Sequence, residues 1–327
     1  MMNLKNPFSG QGKRYYDFNT FLKSTFGLKV HKISIDAGLN CPNRDGSISN
    51  TGCIYCNQKG SGTGAWEKGQ TIPEQILHAQ TYLSKRFKAK KFLAYFQSFS
   101  NTYAPKEELK VLYEKALYME DMVGLCIGTR PDCVPDDILD MIQAFTRDYM
   151  VWLEYGLQSF HDQTLLAINR GHTVRQFLDA VERTRKRGIN VCAHIILGLP
   201  GESKEDMIQT ADRISDLDIQ GIKIHLLYVI SNTPLADLYQ RGAYRCLTQE
   251  EYLDILVCFL SHLRPDIVIQ RLTGDPHPED LLAPAWSMKK AETLAHFNRM
   301  MQEQDIWQGK HWISERGKST TSLEIAG

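Results

Sequence analysis

Three of the eight cysteines in this 327-residue chain are spaced for chemistry. They lie in the stretch CPNRDGSISNTGCIYC, as Cys41, Cys53 and Cys56. The CxxC pair brings two sulfurs to one centre, and a glycine-containing loop can fold the third thiol back onto it. Three thiolates with no obvious fourth nearby can fix three irons of a cubane cluster and leave the fourth iron open to an incoming ligand. Two other readings share the spacing. A tetrahedral zinc would need a fourth ligand, and His31 is the nearest candidate in sequence. A redox pair would need only Cys53 and Cys56. The loop follows the first strand of a strand–helix series, which favours a cluster over zinc, because zinc ribbons usually sit in hairpins or appended knuckles. Cys126, Cys192 and Cys258 sit in apolar runs, where a free thiol behaves as a small buried hydrophobe. Cys133 and Cys246 flank turns.

Other polar residues stand where chemistry or structure could use them. Glu154 lies inside an apolar strand, and a carboxylate there must be paired or liganded. Arg170 follows a helix and can either meet an anion or bridge on the surface. Arg130, before Pro131, stands at the mouth of the third strand.

These residues need a scaffold, and the hydrophobic pattern supplies one. Strands are expected at Val30–Asp36, Phe92–Phe96, Val123–Ile127, Met150–Leu157, Val191–Leu197 and Ile222–Val229. Helical runs lie between them. Pro73, Pro105 and Pro135 suit first helical positions, and Thr173 can cap a helix closing at Gly188. Ser203 with Asp206 and Thr248 with Glu251 read as capping boxes. Six alternations imply parallel strands with crossover helices, in a doubly wound sheet or a barrel. The expected division is an N-terminal extension (1–29), a core (30–270) and a C-terminal accessory region (271–327). Through Lys32 the start carries Lys5, Lys13, Arg14, Lys23, Lys29 and Lys32 against Asp17 alone. Over the whole chain charge is balanced, 38 basic against 38 acidic residues, so no global field advertises nucleic acid or membrane. No apolar run is long enough to span a bilayer and no signal-like h-region opens the chain, so a cytoplasmic protein is expected.

Further motifs follow the cysteines in order: FQSFSNTYAP (96–105), GTRPD (128–132), LEYGLQS (153–159), NRGHT (169–173) and IILGLPGE (195–202). Together they resemble the radical S-adenosylmethionine (SAM) superfamily, in the YhcC/YtqA-type branch close to the Elongator catalytic subunit. GLQS, NRGHT and GLPGE are also similar to oxygen-independent coproporphyrinogen oxidase. The resemblance covers about residues 15–310. It implies a partial (β/α)6 barrel, with a [4Fe-4S] cluster on Cys41, Cys53 and Cys56 at the C-terminal mouth of the strands. It implies SAM on the open iron, cleaved by one electron from a donor such as flavodoxin or ferredoxin to give a 5′-deoxyadenosyl radical. By position in the motifs, Tyr55 would lie near the adenine, and Gln97 and Ser98 near the methionine amine. Glu154 and Gln158 would hold the ribose and Arg170 the methionine carboxylate. His194 stands where relatives often carry an acid, and Gly198 and Leu199 would let backbone approach the adenine.

Elongator-type enzymes modify C5 of the wobble uridine, so the resemblance makes tRNA the leading substrate. Phosphate contacts could come from Met1–Lys32, Lys85–Lys91 and Arg183–Arg187. The sequence as given lacks the acetyltransferase domain of the Elongator subunit, so remodelling of a substituent already on C5 is expected. The competing readings are a radical SAM enzyme acting on a small molecule or porphyrin, and a non-catalytic zinc or iron–sulfur module.

Overall fold

All six expected strands form, and each pairs in parallel with the next. The computed structural model describes residues 6–312 except 11, 58, 59 and 61, so Lys5 lies outside the described residues. In chain order the elements are α1 (Phe18–Phe26), β1 (Val30–Ile35), α2 (Ile72–Phe87), β2 (Lys91–Phe96), α3 (Lys106–Leu117), β3 (Met122–Thr129) and α4 (Asp136–Ala144). There follow β4 (Met150–Gln158), α5 (Asp162–Ala167), α6 (Val174–Lys186), β5 (Asn190–Leu197), α7 (Lys204–Ser215), β6 (Gly221–Leu226) and β7 (Val229–Ile230). The chain continues through α8 (Pro234–Gln240), α9 (Gln249–His262), β8 (Val268–Arg271), β9 (Leu281–Ala283) and α10 (Lys290–Glu303).

The main sheet has seven parallel strands in the order β1-β2-β3-β4-β5-β6-β8, a curled half-barrel with one strand more than the expected six. The added strand, β8, sits beside β6. The run expected as Ile222–Val229 breaks after Leu226, and Val229 pairs instead with Ala283 in a separate two-stranded sheet. Helix starts follow local chemistry. Thr71, Thr173, Ser203 and Thr248 each form a capping box, satisfying N–H groups that the first turn leaves open. Pro105 and Pro135 occupy the cap positions of α3 and α4, one residue earlier than expected.

Strand alternation divides the side chains between two environments. Ile33, Ile35, Phe92, Phe96, Leu125, Ile127, Leu153 and Tyr155 face outward and pack beneath the helices in the main core. The opposite face lines the lumen, whose floor is a second cluster containing Leu22, Val30, Leu93, Tyr95, Cys126, Trp152 and Cys192. Cys126 and Cys192 are fully buried there, as their apolar runs imply, while Cys258 is half-buried. Helix α1 plugs the lumen from below. Phe18 and Phe21 meet the Trp152 ring edge-to-face at 6.0 and 5.7 Å, and α1 contacts both edge strands, β1 and β8. Burial of such rings makes the floor dry and rigid. Among the described residues no helix is long and apolar enough to cross a membrane.

Candidate functional site

The loop from Cys41 to Cys56 has almost no regular structure, so side chains must fix it. Asn169 does much of this. Its Nδ2 donates to the Gly52 carbonyl at 2.6 Å and contacts the hydroxyls of Ser49 and Thr51. Asn43 Nδ2 donates to the Asn169 carbonyl at 2.6 Å and approaches Cys53 Sγ at 3.6 Å. Arg170 donates from Nε and Nη2 to the Gly156 carbonyl at 3.1 and 2.7 Å, and its Nη1 reaches Cys53 Sγ at 3.6 Å. Arg44 donates to the Asn57 carbonyl and reaches Cys56 Sγ at 3.7 Å. Arg130 donates to the Arg170 carbonyl at 2.7 Å and is held on Asp132.

Two glycines make this closeness feasible. A Cβ on Gly156 would lie 2.5 Å from Arg170 Nη2, and one on Gly171, at φ +73°, would meet Asn43 and Ile48 at 2.9 Å. The motifs GTRPD, LEYGLQS and NRGHT are therefore one bracket around the cysteine loop.

Three N–H donors thus point at two sulfurs, an arrangement that stabilises thiolate or metal-bound sulfur. Burial, followed by the neighbouring Cys53, pushes the Cys56 thiol up to about 11, so a metal that binds it must displace its proton. Tetrahedral zinc about 2.3 Å from each sulfur would hold the sulfurs about 3.8 Å apart. Among the described residues, the trio of metal-ligating groups whose ligand atoms all lie within 4.8 Å of one another is Glu154, Cys192 and His194, not the three cysteines. His31 is no fourth ligand either. It stands at the start of β1, stacked on Phe87 at 5.1 Å. Wider sulfur spacing and a donor set of three suit a cubane better than zinc.

Beneath the loop, the lumen holds a buried charge cluster. Glu154 is fully buried, with one oxygen on Lys32 Nζ and the other on Lys223 Nζ and on His194 Nε2, the last at 3.0 Å. Lys32 also donates to Gln270 Oε1 at 2.6 Å, and Lys223 lies over the Tyr95 ring at 3.8 Å. Burial alone would raise the Glu154 carboxyl, but Lys223, Lys32 and the His194 hydrogen bond outweigh it and hold the group well below the carboxylate range. Burial lowers His194 to about 4 despite its carboxylate partner, so the imidazole is neutral at pH 7. Two ammonium groups on Glu154 make its trio with Cys192 and His194 a poor cation site.

Of the residues that the resemblance marks for SAM, Tyr55, Gln97, Glu154, Gln158, Arg170 and His194 line one cavity with Cys41, Cys53 and Cys56. Ser98, Gly198 and Leu199 are not brought to its wall. The Ser98 hydroxyl is buried without a hydrogen-bond partner. The Gly198 carbonyl accepts from Tyr244 at 2.9 Å, and Leu199 packs in a rim cluster with Tyr55. The resemblance gave Glu154 to the ribose, yet both its oxygens are already engaged. Sequence reasoning missed Lys32, Lys223 and Arg271 as lumen residues. The signal for the two lysines was a charge inside an apolar strand, in VHKISI and in GIKIHL.

The basic segments divide as well. Arg183, Arg185, Lys186 and Arg187 bridge to Asp179, Asp218, Glu182 and Asp140 at 2.6–3.0 Å, so α6 spends its charge on neighbouring acids. Lys13 pairs with Asp17 and Arg14 with Asp305.

Known proteins share this construction. The sequence models of the radical SAM superfamily and of the Radical_SAM C-terminal domain match residues 45–214 and 219–303. The chain is 39% identical over 310 residues to YtqA of Bacillus subtilis, covering 95% of this chain and 96% of that protein. It is 35% identical over 317 residues to YhcC of Escherichia coli, covering 96% and 98%. A shorter match, 32% over 139 residues, spans 41% of this chain and 25% of the tRNA uridine(34) acetyltransferase of Methanocaldococcus jannaschii. The solved structure of Methanocaldococcus infernus Elp3 superposes with a TM-score of 0.65 at 16% identity, over 85% of this chain and 64% of that one, a likeness of fold. Matched to the superfamily over half its length, and to a 39% identical relative over nearly all of it, the chain belongs to the radical SAM superfamily.

Proposed function

We propose that Cys41, Cys53 and Cys56 hold a [4Fe-4S] cluster, that SAM binds in the adjoining cavity, and that the enzyme acts on the C5 substituent of the wobble uridine in tRNA. The observation that carries the first part is the donor set. Three thiols share one braced loop and line one cavity. With both cofactors bound and an electron from a donor such as flavodoxin or ferredoxin, the site would supply a 5′-deoxyadenosyl radical that takes hydrogen from an unactivated C–H bond. The chain's own residues bind and orient. Arg170 has five N–H groups and gives three to Gly156 and Cys53, so two remain for the methionine carboxylate. Ser100 lines the cavity with a buried hydroxyl that has no partner, suited to the methionine amine. Tyr55 offers a wall for the adenine.

The tRNA reading rests on the partial match to the tRNA uridine(34) acetyltransferase. A surface suited to phosphate supports it. Lys29, Lys85, Arg86, Lys88 and Lys90 are exposed and pair with no acid among the described residues. Arg86 lies against the Tyr82 and Phe87 rings, a basic–aromatic mixture that RNA can use. The test compares nucleoside profiles of bulk tRNA from cells with and without the protein. One C5-substituted uridine should change, and wild type should restore it while Cys53→Ala should not. Identical profiles would overturn the tRNA reading in favour of a small-molecule substrate.

A further inference from the structure

The lumen carries more positive charge than its structure uses. Four arginines line the cavity beside the cysteine loop, and three are tied down: Arg44 on Asn57, Arg130 on Asp132, Arg170 on Gly156. The fourth, Arg271, is half-buried, and its guanidinium has neither a hydrogen bond nor an ion pair among the described residues. It belongs to β8, the strand beyond the expected six. A second cavity opens between the edge strands β1 and β8, lined by Lys32, Lys223 and Gln270, and it shares Tyr95 and Arg271 with the first. Arg271 thus stands where the lateral cleft meets the cysteine-lined chamber. Glu154 is the one acid among the residues that line that chamber, and Lys32 and Lys223 already occupy it. The cleft adds one acid, Asp17, and Lys13 holds it, so Arg271 is left without a carboxylate partner in either cavity. Burying charge without a counter-charge is costly, so a half-buried guanidinium with no acid partner suits an anion that arrives with the ligand.

From this junction we infer that Arg271, backed by Lys223, is the receptor for a carboxylate on the substrate, which enters by the cleft between β1 and β8. The inference rests on the reading above only in taking the chamber as the place where SAM and substrate meet. It names the substrate class as one whose reacting side chain ends in a carboxylate. A guanidinium with free N–H groups suits this geometry, because it can take both carboxylate oxygens at once. The competing source of a carboxylate is the methionine end of SAM, which Arg170 is placed to take.

Trifluoroacetate serves as the probe, followed by 19F NMR line broadening on the anaerobically reconstituted protein. Saturable binding is expected, unchanged when SAM is added in excess. Arg271→Gln should weaken it about 10- to 150-fold, the worth of one charge-assisted contact, and Arg271→Lys should keep most of it. SAM affinity in Arg271→Gln should equal that of wild type, which also shows that the variant is folded. Three results would overturn the inference: no saturable binding, displacement of the probe by SAM, or equal binding by Arg271→Gln. Failure of the tRNA profile with probe binding intact would overturn the tRNA reading alone.

Discussion

Glu154→Gln separates two duties that one residue could have. If Glu154 is the counter-charge for Lys32 and Lys223, the change leaves two ammonium groups in the lumen with no carboxylate between them. The Glu154 side chain is 0% exposed, and those of Lys223 and Lys32 are 5% and 16% exposed, so water can do little to compensate. Breaking a buried pair costs about 3–5 kcal/mol. An unfolding entropy of about 2.1 cal/mol/K per residue gives about 0.7 kcal/mol/K for this chain, so the melting temperature should fall by about 4–7 °C. Removing one of the stranded cations, in Glu154→Gln/Lys223→Met, should recover at least about half of that loss, because neighbours in one network do not act additively. The assay is anaerobic differential scanning fluorimetry of reconstituted protein beside equilibrium dialysis of SAM. Both oxygens of Glu154 are engaged within the protein, so SAM affinity should stay within about threefold. A melting temperature within about 1 °C of wild type, together with a tenfold loss of SAM, would refute the charge-cluster account and return Glu154 to the ribose.

Cys41→Ala, Cys53→Ala and Cys56→Ala should each abolish the expected content of about four irons per chain, whereas Cys126→Ala, in the lumen floor, should retain it. Arg170→Ala should lower iron content as well as SAM affinity, since Arg170 touches Cys53, and intact iron in that variant would reject the bracket described above. Burial lowers His194 to about 4 and His172 to about 3, both from 6.5. Below pH 6.5 the unfolded chain gains protons that these folded imidazoles refuse, so stability should fall with pH by about 1.4 kcal/mol per unit for each, and His172→Gln should remove one such slope from urea titrations between pH 6.5 and 5. If tRNA is bound, replacing Lys85, Lys88 and Lys90 by Gln should flatten the log–log salt slope by about two to three units, while Arg183→Gln/Arg187→Gln should leave it unchanged.

What the sequence disclosed, and what it hid, follow the range of the interactions involved. The cysteine loop was legible because its spacing is local, and six strands were legible because runs such as VWLEYGL and VCAHIIL are longer and more apolar than their surroundings. Strand β8 escaped notice because VIQR is four residues long, ends in a charge and runs into TGDPHP. Lys32 and Lys223 were hidden for a different reason. In an open sheet with one wet face, a lysine inside an apolar strand reads as a solvent position. In a curled sheet that face is the lumen, and Lys32 on β1 meets Glu154 on β4, three strands away in the sheet, only because of the curvature. The basic run of α6 reversed its meaning likewise. It looked like a phosphate surface until α4 placed Asp136 and Asp140 beside it.

The bracket around the cysteines also bears on how the site keeps its shape. A loop without regular structure would normally pay a large conformational entropy to hold three thiols toward one cavity. Here that ordering is shared among groups already fixed by the barrel. The Gly156 carbonyl, on β4, accepts from both Arg170 and His172, and Arg130, at the end of β3, holds the carbonyl of Arg170. Asn169, at φ +51°, turns the chain so that its side chain faces the loop while its carbonyl accepts from Asn43. Asn43, Arg130, Arg170 and His172 are buried where a lost partner is not replaced by water, so the members stabilise one another cooperatively. The position of the three thiols is therefore set by the ends of rigid strands rather than by the loop itself.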